Sequence, residues 1–351
     1  MKRSITLIAL ALGCVMAFAQ KLDRNEAKQL AAFLSQPAAE ASTNAQALNA
    51  DPRNLSAIEG VTIENGHVTA IELKEKKLAG ALDLSGFTQL RKVDVSRNAL
   101  TSIDVTGCNA LTDFNASRNK LTKATFSGCA SLEKIQVYRN RLTDLDITAL
   151  PAIKTINCSS NLLVDLNVSG STSLQTLNCQ SCHLENLFIS GCTGLKNLYC
   201  GYNKLTSLNL LGVENLTNLN IDDNEITNMI VSGLPTLSSF VCSDNNMTQL
   251  AVRNCNNLLD LVCSYNDLTA LDVEGCTNLL FVDCSYNDLT QLSLSNQSFL
   301  QRLLCNNNQL QMLDLSFDPA LTYVNCRFNM ITDLRTIGDT SLNMLACQWN
   351  P

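Results

Sequence analysis

The seven residues CSYNDLT occupy 263–269 and return unchanged at 284–290, an offset of 21 positions. That interval runs through most of the chain. Steps of 21 from Leu90 meet Leu111, Leu132, Ile153, Leu174, Leu195, Leu216, Leu237, Leu258, Leu279, Leu300, Leu321 and Leu342 without insertion or deletion. The fourth residue of each unit is apolar in all thirteen copies, from Val93 and Phe114 to Val324 and Leu345. The ninth is asparagine in twelve of thirteen, from Asn98 to Asn350, the exception being Cys182. A fixed period of this length marks a solenoid, in which each unit buries its apolar face only against its neighbours.

The unit reads LxxLxCSxNxLTxLDVSGCxx. Its LxxLxCxxN half resembles the leucine-rich-repeat signature, with cysteine at a core position where leucine is usual. From Leu90 to Pro351 the chain is similar to the cysteine-ladder internalins and related bacterial surface proteins. The resemblance implies a curved right-handed stack of coils with a parallel sheet on its concave side. The expected fold is a β-rich solenoid with a short helical N-terminal cap. Regular repeats span 90–341, a partial last repeat spans 342–351, and an irregular first coil spans 68–89. Residues 20–67 form the cap and lead-in segment, with a helix expected over 22–34, opened by Asp23 and Glu26 as a capping pair.

Period-2 alternation gives each position a physical role. Residues four and six of a unit point into the core, and three, five and seven point to the concave face. Cys158, Cys179, Cys200, Cys242, Cys263, Cys284, Cys305, Cys326 and Cys347 therefore form one internal column. A thiol packs as a small apolar group, suited to a coil too tight for leucine throughout. Adjacent parallel strands sit about 4.8 Å apart and a disulfide needs Cβ atoms within about 4.5 Å, so buried free thiols are expected. Cys108, Cys129, Cys192, Cys255 and Cys276 are expected to plug the core edge. The asparagines satisfy backbone groups at the turn, and Cys182 should leave one wanting. The second half of the unit alternates too, and is too short for three helical turns, so extended segments are expected there.

The chain opens MKRSITLIALALGCVMAFAQ: Lys2 and Arg3, an apolar run, then Ala17-Phe18-Ala19, the pattern of a leader cleaved after residue 19. The weighed alternatives are a retained anchor helix and lipidation at Cys14. No later stretch is long enough to span a bilayer, so an exported protein, secreted or at the cell surface, is expected, with the periplasm a lesser alternative. Loss of the leader removes two cations and one cysteine, taking the formal charge from −7 to −9 and the cysteines from 16 to 15. That acidity argues against a nucleic-acid partner.

The search for chemistry yields little. His67 and His183 form no triad spacing, and CQSC at Cys179 to Cys182 places one member in the core column and one at a turn. No cofactor motif is present in the sequence. Asp222, Asp223 and Asp244, with Glu225, form an acidic cluster weighed as a calcium site or a coil-stack carbohydrate-active site against a solvated rim. The chain is expected to be no enzyme.

Function then falls to positions free to vary, taken as three, five, seven and eight of each coil. Position eight reads Arg97, Arg118 and Arg139 in the first coils, then Tyr202, Asp223, Asp244, Tyr265, Tyr286, Phe328 and Trp349. Phe281 and Tyr323 at position three and Tyr199, Val241, Val262 and Leu304 at position five extend this into an aromatic and aliphatic strip. Tyr, Trp and Arg carry interface energy, so a protein partner on the concave face is expected, in adhesion or surface capture. Two rivals are glycan binding and aromatic columns that merely stack on one another. The chain stops at LACQWNP, partway through a coil, so self-association through that open coil or a truncated array is expected.

Overall fold

The computed structural model describes residues 22–294, 297–316, 318–338 and 340–351. The leader assigned to 1–19, with Cys14, lies outside them. Helix α1 (Arg24–Ser35) opens as expected at Asp23, whose side chain accepts from the Asn25 and Glu26 amides. Glu26 does not close a capping box, however. It is 3% exposed, accepts from the Val68 amide at 2.8 Å and faces His67 Nδ1 at 3.0 Å. Its carboxylate ties the cap to the first strand pair instead of to its own helix, because that strand leaves a buried N–H to satisfy. A short α2 (Asn44–Ala47) follows, and Asn44 Nδ2 bridges Phe33 O and Ala79 O. Strands β1 (Val61–Glu64) and β2 (His67–Glu72) then pair antiparallel across Asn65 and Gly66, both left-handed as a tight hairpin requires.

From β2 onward every strand of one fifteen-stranded sheet pairs parallel with the next coil. Register advances by one repeat: Asn197, Leu198 and Tyr199 lie opposite Asn218, Leu219 and Asn220. Each regular strand is three residues long, with its middle side chain buried and its flanks turned outward. Leu198 and its equivalents from Val93 to Val324 are enclosed, while Leu345 in the last unit is half-buried. Replacing one by alanine costs about 2–5 kcal/mol, since the coils above and below hold the cavity open. The second half of the unit also forms short extended pieces, in four small parallel sheets of two or three strands rather than one continuous sheet.

The asparagine column closes the corner of each coil. Asn245 Nδ2 reaches Ile221 O, Cys242 O and Ser243 O at 3.0–3.3 Å, and its Oδ1 accepts from Ile226 N of the preceding coil at 3.0 Å. Cys182 keeps part of this pattern: its thiol donates to Cys158 O at 3.2 Å and Gln180 O at 3.5 Å. It has no oxygen to offer Leu163, the residue standing where the other coils donate to asparagine.

Among the described residues fourteen cysteines are buried with free thiols. Cys347, expected in the internal column, is exposed, at the outer edge of the last described coil. The edge cysteines do more than fill space. Cys108, Cys129, Cys192 and Cys276 donate to Leu84 O, Val105 O, Val168 O and Val252 O at 3.0–3.2 Å, each one coil back.

Candidate interaction surface

Position seven does not belong to the exposed face. Ser96, Ser117, Ser243, Ser264 and Ser285 are at most 7% exposed. Ser96 Oγ and Ser285 Oγ donate to Asp94 and Asp283 Oδ1 at 2.6 Å, and the same oxygens accept from the serine amides. The chain turns after position five, which caps that turn where it is an acid, as at Asp94 and Asp283; Ser243 and Ser264, which follow Val241 and Val262, are buried as well and hydrogen-bond one another at 3.0 Å.

Position eight then lies at the corner with a left-handed backbone in every coil. φ runs from 50° at Asp223 to 65° at Trp349, and the series begins at Glu75 in the irregular coil. The conformation is enforced: the Tyr265 amide donates to Ser285 O and the Tyr286 amide to Asn306 O, each in the coil above. A left-handed backbone costs an L-residue about 1 kcal/mol or more, least for Gly, Asn and Asp. The coil has a second left-handed corner, and there the chain uses glycine, as at Gly107 and Gly128, or asparagine, as at Asn254. At position eight no copy is glycine, and seven are tyrosine, phenylalanine, tryptophan or serine where strain would favour glycine, asparagine or aspartate: Ser160, Ser181, Tyr202, Tyr265, Tyr286, Phe328 and Trp349.

These side chains are exposed: Tyr202 53%, Tyr265 51%, Phe328 48% and Trp349 72%. The rings pair along the stack. Tyr265 and Tyr286 are 4.3 Å apart and 8° from parallel, and Phe328 and Trp349 are 5.7 Å apart at the same angle. Tyr199, Phe281 and Tyr323 sit half-buried on the sheet itself, as do Val241, Val262 and Leu304. Sequence reasoning missed Arg302, which lies between Phe281 and Tyr323 in the position-three column, 5.1 and 5.8 Å from their ring centroids. The signal was available: it is the only position-three residue flanked above and below by rings.

Arg97, Arg118 and Arg139 form a column of their own in successive coils. Arg118 lies 5.8 Å from the Tyr138 ring, and its Nε is buried without a hydrogen-bond partner among the described residues. The Tyr138 hydroxyl is held below its usual value by a hydrogen bond with Ser117 and by Arg118. Between the zones, Asp222 folds over Gly201, whose missing side chain leaves room for the carboxylate. Burial raises the Asp222 carboxyl above its ordinary range, and the Asp222 charge raises the Tyr202 hydroxyl. Asp222, Asp223 and Asp244 do not make the calcium site considered from sequence. Asp222 at position seven turns inward while the other two point out at position eight, and no metal-holding group of three His, Cys, Asp or Glu occurs among the described residues.

No protein-family model and no curated protein matches the chain. Solved structures do. The functional domain of InlJ from Listeria monocytogenes, which includes a cysteine ladder, is 25% identical, with a TM-score of 0.53 over 81% of this chain and 70% of that one. A leucine-rich-repeat protein from Bacteroides eggerthii is 14% identical with a TM-score of 0.62, over 90% of this chain and 77% of that one. YopM from Yersinia pestis, described as a leucine-rich effector protein, is 21% identical with a TM-score of 0.57, over 77% and 83%. The structural neighbours are bacterial leucine-rich-repeat proteins, and the fold is their parallel solenoid.

Proposed function

We propose that this chain is an exported, non-catalytic recognition protein that binds a protein partner through the outer face of its long sheet and the adjoining corner column, in adhesion or protein capture at the bacterial surface. The observation that carries this reading is the contrast between the two left-handed corners. One is given to glycine, and the other bears Tyr, Phe, Trp and Arg despite the strain. Strain retained at exposed positions points to side chains kept for what they contact. The leucine-rich-repeat architecture suits this role, as a scaffold that displays one variable row per coil.

A glycan partner is less well supported. Sugars stack on ring faces, yet Tyr265 and Tyr286 cover one another, as do Phe328 and Trp349, so edges meet a ligand more than faces do. The polar groups that would read hydroxyls are partly engaged: Asp283 Oδ1 by Ser285, and Asn325 by Arg327 N and Asn306 Oδ1. The same stacking serves the sheet, but stacking alone gives no reason to choose strained positions for it.

The test applies one labelled protein to a glycan array and to an array of cell-surface protein ectodomains. Protein hits are expected, lost in Tyr265→Ala/Tyr286→Ala/Trp349→Ala. Replacing Arg97, Arg118 and Arg139 should chiefly reduce salt sensitivity, because rim charges act on encounter more than on the bound state. Glycan hits without protein hits overturn the reading, and loss of binding in the arginine variant alone moves the site to the first coils.

A further inference from the structure

Residues 205–351 contain four arginines and no lysine against fifteen Asp and Glu. Cations in so acidic a half would be expected to find partners, and three of the four do, two of them as ion pairs. Arg253 pairs with Asp272, Arg335 with Asp314 and Asp333, and Arg327 hydrogen-bonds Gln348. Arg302 has no ion pair among the described residues. Its column runs Asp260, Phe281, Arg302, Tyr323 in parallel register, so the Phe281 ring separates it from Asp260. Asp283, opposite Leu304 in the adjacent coil, has its Oδ1 occupied by Ser285.

Rings on both sides stabilise the cation and hold its plane while it stays exposed. They leave the in-plane N–H groups, a fork that matches a carboxylate in bidentate fashion. An exposed guanidinium held between two rings with unfilled donors among the described residues, beside the half-buried Leu304, is the arrangement of an interface anchor.

We infer that Arg302 receives a carboxylate from the partner: an Asp or Glu side chain of a protein, surrounded by apolar groups that pack on Phe281, Tyr323 and Leu304. This rests on the protein-binding reading above and names the chemistry that reading lacks. A sugar carboxylate brings hydroxyls, and Asp283 Oδ1 and Asn325 are already partly engaged, whereas Phe281, Tyr323 and Leu304 offer apolar contact, so the protein source is favoured.

The experiment titrates the full chain with acetyl-Leu-Glu-Leu-amide, acetyl-Leu-Gln-Leu-amide and galacturonic acid while following arginine Nε–Hε resonances, with Arg302 assigned by Arg302→Lys. The Glu peptide is expected to shift the Arg302 signal saturably, and the Gln peptide to bind about ten-fold more weakly. Arg302→Lys keeps the charge but not the fork, and should weaken the Glu peptide by a similar factor with its thermal transition unchanged. Equal binding of the two peptides, an unaffected lysine variant, absence of any Arg302 shift, or tighter binding of galacturonic acid overturns the assignment. If both peptides bind alike and Tyr265→Ala/Tyr286→Ala/Trp349→Ala loses both, the aromatic surface stands and the carboxylate site falls. If the Glu peptide binds that triple variant undiminished, the carboxylate site stands and the aromatic corner loses its rank.

Discussion

The Tyr265 and Tyr286 rings stack at 4.3 Å while both residues hold φ at 54°. The relationship joins two levels. From Arg97 to Phe328 the position-eight amide donates to the next coil at the left-handed corner, and the corner aims successive side chains along one line. Rings one coil apart then meet face to face with little freedom to do otherwise.

If the corner is strained, glycine should relieve it. Phe328→Gly is expected to be more stable than Phe328→Ala by about 1 kcal/mol, the reverse of the usual order for an ordered segment, and Ser181→Gly should raise stability over the parent. Urea unfolding decides it. Alanine equal to or better than glycine at residue 328 means the corner carries no strain.

Cys182 is the gap in the asparagine column, and the other twelve coils show that an amide fits there. Cys182→Asn should supply the missing oxygen to Leu163 N and add about 1 kcal/mol, whereas Asn245→Ala should cost about 2 kcal/mol or more by stranding buried backbone groups. A loss of stability in Cys182→Asn would show that the local coil has repacked around the thiol.

The buried thiols make the fold sensitive to base. Burial pushes Cys108 and Cys284 up to about 12, and Cys129 and Cys326 up to about 11, from the ordinary 9.0. Above 9.0 the unfolded chain has released protons that the folded chain still holds, so stability is intact below that pH and falls as pH rises toward 11 and 12. Each thiol contributes about 1.4 kcal/mol per pH unit once its unfolded form is ionised. The urea midpoint should hold from neutrality to about pH 8.5 and then drop steeply; a flat profile to pH 10.5 contradicts this account.

Iodoacetamide should reach Cys347 first in the native protein, with the fourteen buried cysteines labelled only on denaturation. Peptide mapping by mass spectrometry reads the order. Rapid native labelling at Cys263 or Cys284 would mean that the coils open locally, and disulfides along the column would contradict the free-thiol core.

What the sequence alone determined is whatever depends on one coil and its immediate neighbour. An offset of 21 residues is a spatial neighbour in a solenoid, so the leucines, the cysteine column and the asparagine ladder could be placed directly, and so could the extended second half of each unit. The tertiary structure decided what periodicity does not encode. Position seven turns inward at serine, both where Asp94 and Asp283 cap the turn and where Val241 and Val262 leave Ser243 and Ser264 to bond each other. Position eight becomes left-handed because its amide must reach the next coil. Glu26 serves Val68 rather than its own helix, through a contact between a non-repeating cap and a distant strand. Arg302 stands without a carboxylate between two rings that are separate in sequence by 42 residues, from Phe281 to Tyr323, and adjacent only once three coils are stacked. Local pattern fixes which side chains face inward, but hydrogen bonding between coils fixes the backbone angles and rotamers that aim the outward ones.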